Sequence, residues 1–386
     1  MLKIAGVICE FNPFHNGHKY LLDEIKQRGF DATVCVMSGS FTQRGDVAVY
    51  DKFKRTKAAL GNGADLVIEL PAPYAVASAQ IFARGGAEII KATGVVDTVF
   101  FGSECGDVEL LKKAATATKA PEVEALLKEY MNAGDYYPLA LEKAVKDTFG
   151  SEISAVLKSP NNTLAVEYIK ELWGSSLEVD TVTRVAVEHD SMSANKGFAS
   201  ASLLREMILN KEDISPFVPT DDFSNPAFMA LGERAVIYKL RSMSLEDFEK
   251  LPDVNEGLHN RIFGAVRDFN SIEEILAEIK TKRYTLARLR RIIACALLDI
   301  TKELQAAPVP YLRILGITEK GKEVLSQISK HGALPIVTSV AASLRTLEEK
   351  AQKILLCDVK ATDLRTVFEE NISGSARDFT SAIIKL

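Results

Sequence analysis

The chain of 386 residues is sparing with the residue types that most often carry chemistry: five histidines, five cysteines and one tryptophan. The cysteines (Cys9, Cys35, Cys105, Cys295 and Cys357) form no CxxC pair and no ladder of spacings. That excludes a zinc ribbon and a disulfide scaffold. Cys9, Cys35 and Cys295 sit inside apolar runs, so buried free thiols and a reducing, cytoplasmic compartment are expected. No apolar stretch approaches the roughly 18 residues needed to span a bilayer, and no membrane role is expected. The chain opens with one lysine and a strand-like run ending in polar residues, unlike a signal peptide. There is no GxSxG and no serine-histidine-aspartate order, which leaves a hydrolase triad without support. Repeats and low-complexity segments are also missing. Net charge is −5, from 47 Lys and Arg against 52 Asp and Glu. A protein coating nucleic acid over its whole surface would be basic, but a local basic patch remains open.

What the chain does have is alternation. "LKIAGVI", "ATVCVMSGS", "ADLVIELP", "VDTVFFGSE" and "LEVDTVTRVAVEHD" read as strands, most of them apolar throughout. Between them lie "HKYLLDEIKQRG", "FKRTKAALGNG", "AVASAQIFARGGAEIIKATG" and "NNTLAVEYIKELWG", with apolar residues at helical spacing. This pattern predicts an α/β fold with a parallel sheet covered on both faces. Beyond about residue 205 the pattern becomes mostly helical, with Pro216 and Pro219 near the change and one β-like run, "YLRILGIT". The division drawn is 1–210 and 211–386.

Two of the five histidines, His15 and His18, stand three apart in "NPFHNGH", where the first strand gives way to the first helix. In an open α/β sheet that edge binds ligands. A helix start offers free N–H groups and positive potential to phosphate, Gly17 lets a ligand approach the backbone, and two imidazoles can donate to a phosphate in displacement. Zinc is the rival reading. Zinc helices space histidines by four, and only Glu10 and Asp23 are at hand as further ligands, so no metal site is assigned. Both histidines could also serve only as caps. A second segment, "FASASLLRE" (198–206), is a serine-rich helix start with Arg205 one turn in, suited to a triphosphate tail.

"NPFHNGH" resembles the HxGH signature of the nucleotidylyltransferase superfamily, and "FASASLLRE" its ISSTxxR motif, with Ser200, Ser202 and Arg205 in register. Ala199 and Ala201 stand at more hydroxylated positions of that motif. "GVICEFNPFHNGH", "VMSGSFTQRGDVAVYDKFKRTKAAL", "FFGSE", "SPNNTLAVEY", "KRYTLARLRR" and "YLRILGIT" together resemble the bacterial tRNA(Met) cytidine acetate ligase family, from residue 1 to beyond 320. The resemblance implies a Rossmann-like nucleotidylyltransferase sheet in 1–210 and a helical tRNA-binding part in 211–386. It implies activation of acetate by ATP to acetyl-adenylate, with Mg²⁺ bridging the phosphates. The acetyl group then passes to N4 of the wobble cytidine of elongator tRNA(Met). The partners are ATP, acetate and tRNA(Met), with no stable protein partner. A small-molecule adenylyltransferase of dinucleotide cofactor synthesis is the alternative.

The resemblance assigns His15, His18, Ser200, Ser202 and Arg205 to catalysis. It assigns ATP to Ile8, Cys9, Glu10, Phe11, Asn12, Pro13, Phe14, His15, Asn16, Gly17, His18, Lys19, Tyr20 and Leu21, and to Gly102, Asn161, Asn162 and Arg184. Gly102 also reads as a turn glycine, one asparagine of the pair as a helix N-cap, and Arg184 as an edge-strand charge. Lys280, Lys282, Arg283, Tyr284, Arg288, Arg290 and Arg291 form an acid-free basic run with an aromatic, the pattern of an RNA contact. Lys52, Lys54, Arg55 and Lys57 suggest a second basic face, solvated or on tRNA. Ser38, Gln43 and Arg44 are offered to acetate or tRNA, with Phe11, Phe14 and Phe41 as bulky walls around one guanidinium. His189 and Asp190 could assist deprotonation of the cytidine amine.

Overall fold

The computed structural model describes residues 2–184, 197–255 and 257–386. The alternating segments become β1 (Ile4–Cys9), α1 (Asn16–Gln27), β2 (Ala32–Ser38), α2 (Lys52–Leu60), β3 (Leu66–Leu70), α3 (Ala79–Thr93) and β4 (Thr98–Ser103). A helical insertion follows, with α4 (Val108–Ala117), α5 (Pro121–Asn132) and α6 (Tyr137–Phe149). The chain then returns through α7 (Pro160–Leu172), β5 (Glu178–Thr183) and α8 (Ala201–Leu209). Every residue of β2 and β3 is buried, as expected of strands covered on both faces. α1 turns only Leu22 and Ile25 fully inward, the helical spacing seen in the sequence.

The sheet runs β5-β4-β1-β2-β3, all parallel. The chain winds outward from β1 through β2 to β3, then returns to the other side of β1 with β4. The order therefore reverses beside β1, and the crevice beyond the carboxyl ends of β1 and β4 is the ligand position of such sheets.

The sheet does not end at β3. β6 (Leu312–Ile317), formed by the "YLRILGIT" run, pairs antiparallel with β3, and all its residues are buried. β7 (Ile336–Val337) and β8 (Ile384–Lys385) pair parallel with β6. What read as an interruption among helices is a full member of the sheet. Its partner lies some 240 residues earlier, a distance over which local periodicity says nothing of pairing.

A second core gathers the helices after residue 227 around α9 (Leu286–Leu298) and the end of α10 (Glu349–Arg365). Phe41, Val47, Ala72 and Val76 from the first half of the chain pack into that same cluster. All five cysteines are free thiols. Among the described residues no helix is long and apolar enough to cross a membrane.

The basic face expected on α2 is not one. Lys52 is fully buried and bonds Glu69 at 2.8 Å and Asp378 at 2.9 Å. Arg55 is buried and donates to the carbonyls of Tyr50, Glu10, Ser38 and Gly39. Lys54 pairs with Asp222 at 3.1 Å, which leaves Lys57 as the exposed cation of the four. Apart from the Tyr50 carbonyl, the carboxylates and carbonyls that draw the others inward come from other segments, so the run of charges alone could not show it.

Candidate active site

The loop from β1 to α1 builds the floor of a cavity of about 1070 Å³. His15 is the N-cap of α1, and its Nδ1 accepts the Gly17 N–H at 3.0 Å. His18, one turn in, accepts the His15 N–H on its own Nδ1 at 3.2 Å. Together they form a capping box made of histidines, so the capping role is real. It also has a chemical consequence. A neutral imidazole that accepts on Nδ1 carries its proton on Nε2. Both rings therefore offer an Nε2–H donor, and neither has a further protein partner among the described residues. The rings stack with centroids 3.7 Å apart and 24° between planes. A Cβ on Gly17 would lie 2.9 Å from the His15 ring, so the glycine makes room for the histidine.

Electrostatics keep both rings neutral. Burial, then the charges of Arg184 and Arg205, lower the His15 pKa to about 3. Burial, then His15 and Arg184, hold His18 well below its usual value. Two neutral N–H donors beside two guanidiniums suit an anion, and a bound phosphate would stabilise their protonated forms.

Arg205 reaches the floor from α8. Its guanidinium donates to the Asn12 carbonyl at 2.9 Å and to the Ser202 hydroxyl at 3.2 Å. Ser200 caps α8 by accepting the Leu203 N–H at 3.1 Å. Both hydroxyls still have a hydrogen to donate. Ser200, Ser202 and Arg205 all line the cavity with His15 and His18, although some 185 residues separate the two segments.

On the β4–β5 side, neither Asn161 nor Asn162 is the N-cap. Ser159 holds that place because Pro160 takes the first helical position. The asparagines instead clasp Glu104, which the sequence reading missed. Asn161 Nδ2 donates to Glu104 Oε1 at 2.6 Å, and the Asn162 N–H to Oε2 at 2.9 Å. Asn162 Oδ1 accepts the Glu104 N–H at 2.9 Å in return. Glu104 thus neutralises the start of α7. Arg184, one residue past β5, donates to Asn161 Oδ1 at 3.4 Å. Gly102 lies within β4, not in a turn, and a Cβ there would meet the Arg184 side chain at 3.3 Å.

Of the residues assigned to ATP, Ile8, Cys9, Glu10, Phe11, Asn12, His15, Gly17, His18, Tyr20, Leu21, Gly102, Asn161 and Arg184 line the cavity, while Pro13, Phe14, Asn16, Lys19 and Asn162 do not. Phe14 packs on Phe11 and the back of His18. Asn16 donates to the Gly197 and Pro216 carbonyls, Lys19 pairs with Asp23, and Asn12 Oδ1 accepts the Val49 N–H.

The picture of aromatic walls around a single guanidinium needs correction. Phe14 and Phe41 are core residues, and Phe41 packs against Phe368 in the helical core. Ser38 is buried outside the lining. The cavity holds Arg44, Arg184 and Arg205 and also four arginines of the basic run, Arg283, Arg288, Arg290 and Arg291. Those four stand at and before the start of α9, with Thr285 as its N-cap. Arg288 lies over the Tyr284 ring at 5.0 Å and donates to Asn255, and Arg291 pairs with Asp253 at 3.1 Å. Arg290 is exposed, as are Lys280 and Lys282, which lie outside the lining with Tyr284.

Four carboxylates line the cavity, and each is already engaged. Glu10 accepts the Gln43 N–H at 2.6 Å, Asp46 the Val47 N–H at 2.9 Å, Glu167 pairs with Lys170 and Asp253 with Arg291. Burial raises the pKa of Glu10 and of Asp46 against nearby arginines. Among the described residues no group of three His, Cys, Asp or Glu side chains could hold a metal ion. A Mg²⁺ arriving with ATP would therefore be held mainly by phosphate and water oxygens, with Glu10 or Asp46 as single protein ligands. His189 and Asp190 lie outside the described residues.

The model of the HIGH Nucleotidyl Transferase family matches residues 2–378. The tRNA(Met) cytidine acetate ligase of Thermoanaerobacter sp. (strain X514) is 38% identical, over 100% of both chains. That of Acetivibrio thermocellus is 37% identical, over 99% of this chain and 100% of the other. The crystal structure of Thermotoga maritima TmcAL bound with alpha-thio ATP has a TM-score of 0.90 at 33% identity, covering 100% of both chains. Its apo form has a TM-score of 0.92. A histidine capping box at the switch point of a Rossmann-like sheet, faced by a serine-arginine helix start, therefore comes with full-length likeness to one group of enzymes: the chain belongs to the HIGH nucleotidyl transferase family, as a member of its tRNA(Met) cytidine acetate ligases.

Proposed function

We propose that this chain activates acetate with ATP to acetyl-adenylate and transfers the acetyl group to N4 of the wobble cytidine, position 34, of elongator tRNA(Met). The observation that carries this reading is one cavity with two kinds of wall: paired neutral imidazole donors on its floor and an arginine-rich helix start on its rim. ATP takes the floor, with its phosphates among His15, His18, Arg184 and Arg205. An acetate oxygen attacks the α-phosphorus in line and pyrophosphate leaves. No protein nucleophile is needed, since catalysis is positioning and charge stabilisation. The two Nε2–H groups donate to phosphoryl oxygens as their charge grows, and the Ser200 and Ser202 hydroxyls, with Arg205, hold the departing pyrophosphate. The cytosine amine then attacks the acetyl carbonyl, and AMP leaves.

The basic run from Lys280 to Arg291 receives the RNA phosphates, so the tRNA contact of 211–386 falls in its helices, while β6, β7 and β8 of the same part complete the sheet of the catalytic part, 1–210. An anticodon base is single-stranded and can be splayed into a pocket. Five free thiols suit a cytoplasmic enzyme. The names of the relatives favour this reading over cofactor synthesis.

Incubation with radiolabelled acetate and ATP, with and without total tRNA, tests it. Label in N4-acetylcytidine after nuclease digestion of the tRNA is the expected result. Pyrophosphate release with nicotinamide mononucleotide, and none with acetate, would turn the assignment to dinucleotide synthesis.

A further inference from the structure

The insertion between β4 and α7 was not part of any sequence expectation, yet it supplies a wall of the cavity. Tyr136, Tyr137 and Pro138, at the start of α6, line it together with Lys158. Two adjacent tyrosines are thus displayed at one helix start, with exposures of 36% and 37%. They are held firmly from behind. Asp135 beside them pairs with Lys143 at 2.7 Å, the Ala140 N–H donates to the Tyr136 carbonyl, and Pro138 fixes the first turn. The Tyr137 hydroxyl accepts from Gln80 of α3 at 2.9 Å, which ties the insertion to the sheet layer. The Tyr136 hydroxyl has no hydrogen-bond partner among the described residues.

A rigid, part-exposed aromatic pair at a cavity mouth calls for a flat apolar ligand, and the rest of the same cavity says which. Its rim carries Arg283, Arg288, Arg290 and Arg291, a setting for phosphates. Aromatic rings and arginines lining one cavity are the pattern of single-stranded nucleic acid binding, where bases stack on rings and cations follow the backbone. At about 1070 Å³ the cavity also exceeds what pockets for one drug-sized ligand usually offer, leaving room for a base beside a nucleotide.

We propose that Tyr136, supported by Tyr137, is a stacking platform for an unpaired RNA base next to the one acetylated. The insertion and the start of α9 would then hold the anticodon loop between them. This rests on the proposed function, which identifies the RNA. Stacking is uncharged, so it predicts a signature distinct from that of the arginines. Losing the ring should weaken RNA binding without altering its salt dependence.

The test uses the full chain and a 17-nucleotide anticodon stem-loop carrying 2-aminopurine beside the wobble cytidine. Binding to the wild type should quench the 2-aminopurine. In Tyr136→Ala the quench should disappear and binding weaken about tenfold, on the order of one stacked base, with the slope against salt unchanged. Tyr136→Phe keeps the ring and should bind as the wild type does. Thermal unfolding of Tyr136→Ala at the wild-type midpoint shows that the fold is intact, and Tyr136→Leu repeats the test if it is not. Unchanged affinity and quenching in Tyr136→Ala or Tyr136→Leu would overturn the platform, as would a Phe variant as weak as Ala. Binding is read without ATP or acetate, so a failure of the acetylation reading would show in the labelled-acetate assay and not here.

Discussion

His15 and His18 accept backbone N–H groups on the same ring atom, Nδ1, and stack 3.7 Å apart. The hydrogen bonds that start α1 also fix the tautomer of both rings. One pair of residues thus joins folding to chemistry, and the two roles can be separated. Asparagine is among the best N-cap residues, but it has no atom at the Nε2 position. His15→Asn should keep the stability that His15→Ala loses, about 1 kcal/mol in a denaturant titration. Both variants should lose acetyl-adenylate formation by roughly 10²-fold or more, the effect of removing one transition-state donor. An active His15→Asn enzyme would show that the imidazole is only a cap.

Neutral burial of His15 makes stability depend on pH. Its folded pKa, about 3, lies below the value of about 6.5 in an unfolded chain. Between those values the unfolded state binds a proton that the folded state refuses. Stability from this group is therefore full above about pH 6.5 and falls as pH drops toward 3, by roughly 1.4 kcal/mol per unit. Urea titrations at pH 7, 6 and 5 should show the decline in the wild type and a shallower one in His15→Asn. Equal slopes would mean that folding leaves the His15 pKa unshifted.

The parts of this molecule that could be foreseen are those in which local pattern decides. β1 to β4 are largely apolar runs bounded by turns, and His15 and His18 stand where a strand meets a helix. What could not be foreseen depends on partners far along the chain. Lys52 looked like a surface charge because Glu69 and Asp378 meet it only in the folded sheet. Phe14 and Phe41 looked like pocket walls because an aromatic in a loop carries no mark of the side it will face. Glu104 was invisible for the same reason: its meaning lies in the asparagines 57 and 58 residues later.

The basic run divides by the same logic into residues bound to protein and residues free to meet RNA. Arg291 pairs with Asp253, whereas Arg290 is exposed at the rim. Arg290→Ala should weaken tRNA binding and lower the slope of log affinity against log salt by about one. Arg291→Ala should lower the thermal midpoint, with a loss of about 1 kcal/mol or less, since the pair is only partly buried. Its salt slope should change less than that of Arg290→Ala. The opposite ranking of the two slopes would mean that the ion pair with Asp253 opens when RNA binds.

The two halves of the chain come into backbone contact at Gly45, and that contact can be tested on its own. Gly45 has φ +75, and a Cβ there would lie 2.4 Å from the Arg291 nitrogen and 2.5 Å from the Arg290 carbonyl carbon. These are backbone atoms of α9, which cannot swing aside as a side-chain tip would. Gly29 has a similar φ of +81, but nothing lies within 4 Å of its Cβ position. Gly29→Ala therefore meets only the left-handed backbone cost, roughly 1–2 kcal/mol. Gly45→Ala meets the same cost and must also lift the 42–46 turn from the helix. That turn carries Arg44 and places the Gln43 N–H 2.6 Å from Glu10, on the cavity floor. Gly45→Ala should thus be the less stable of the two and should impair acetyl-adenylate formation and RNA binding together, while Gly29→Ala should leave both near wild type. Midpoints from thermal unfolding, with the two assays run side by side, check this. Equal losses in the two variants would mean that the turn and α9 are not in firm contact.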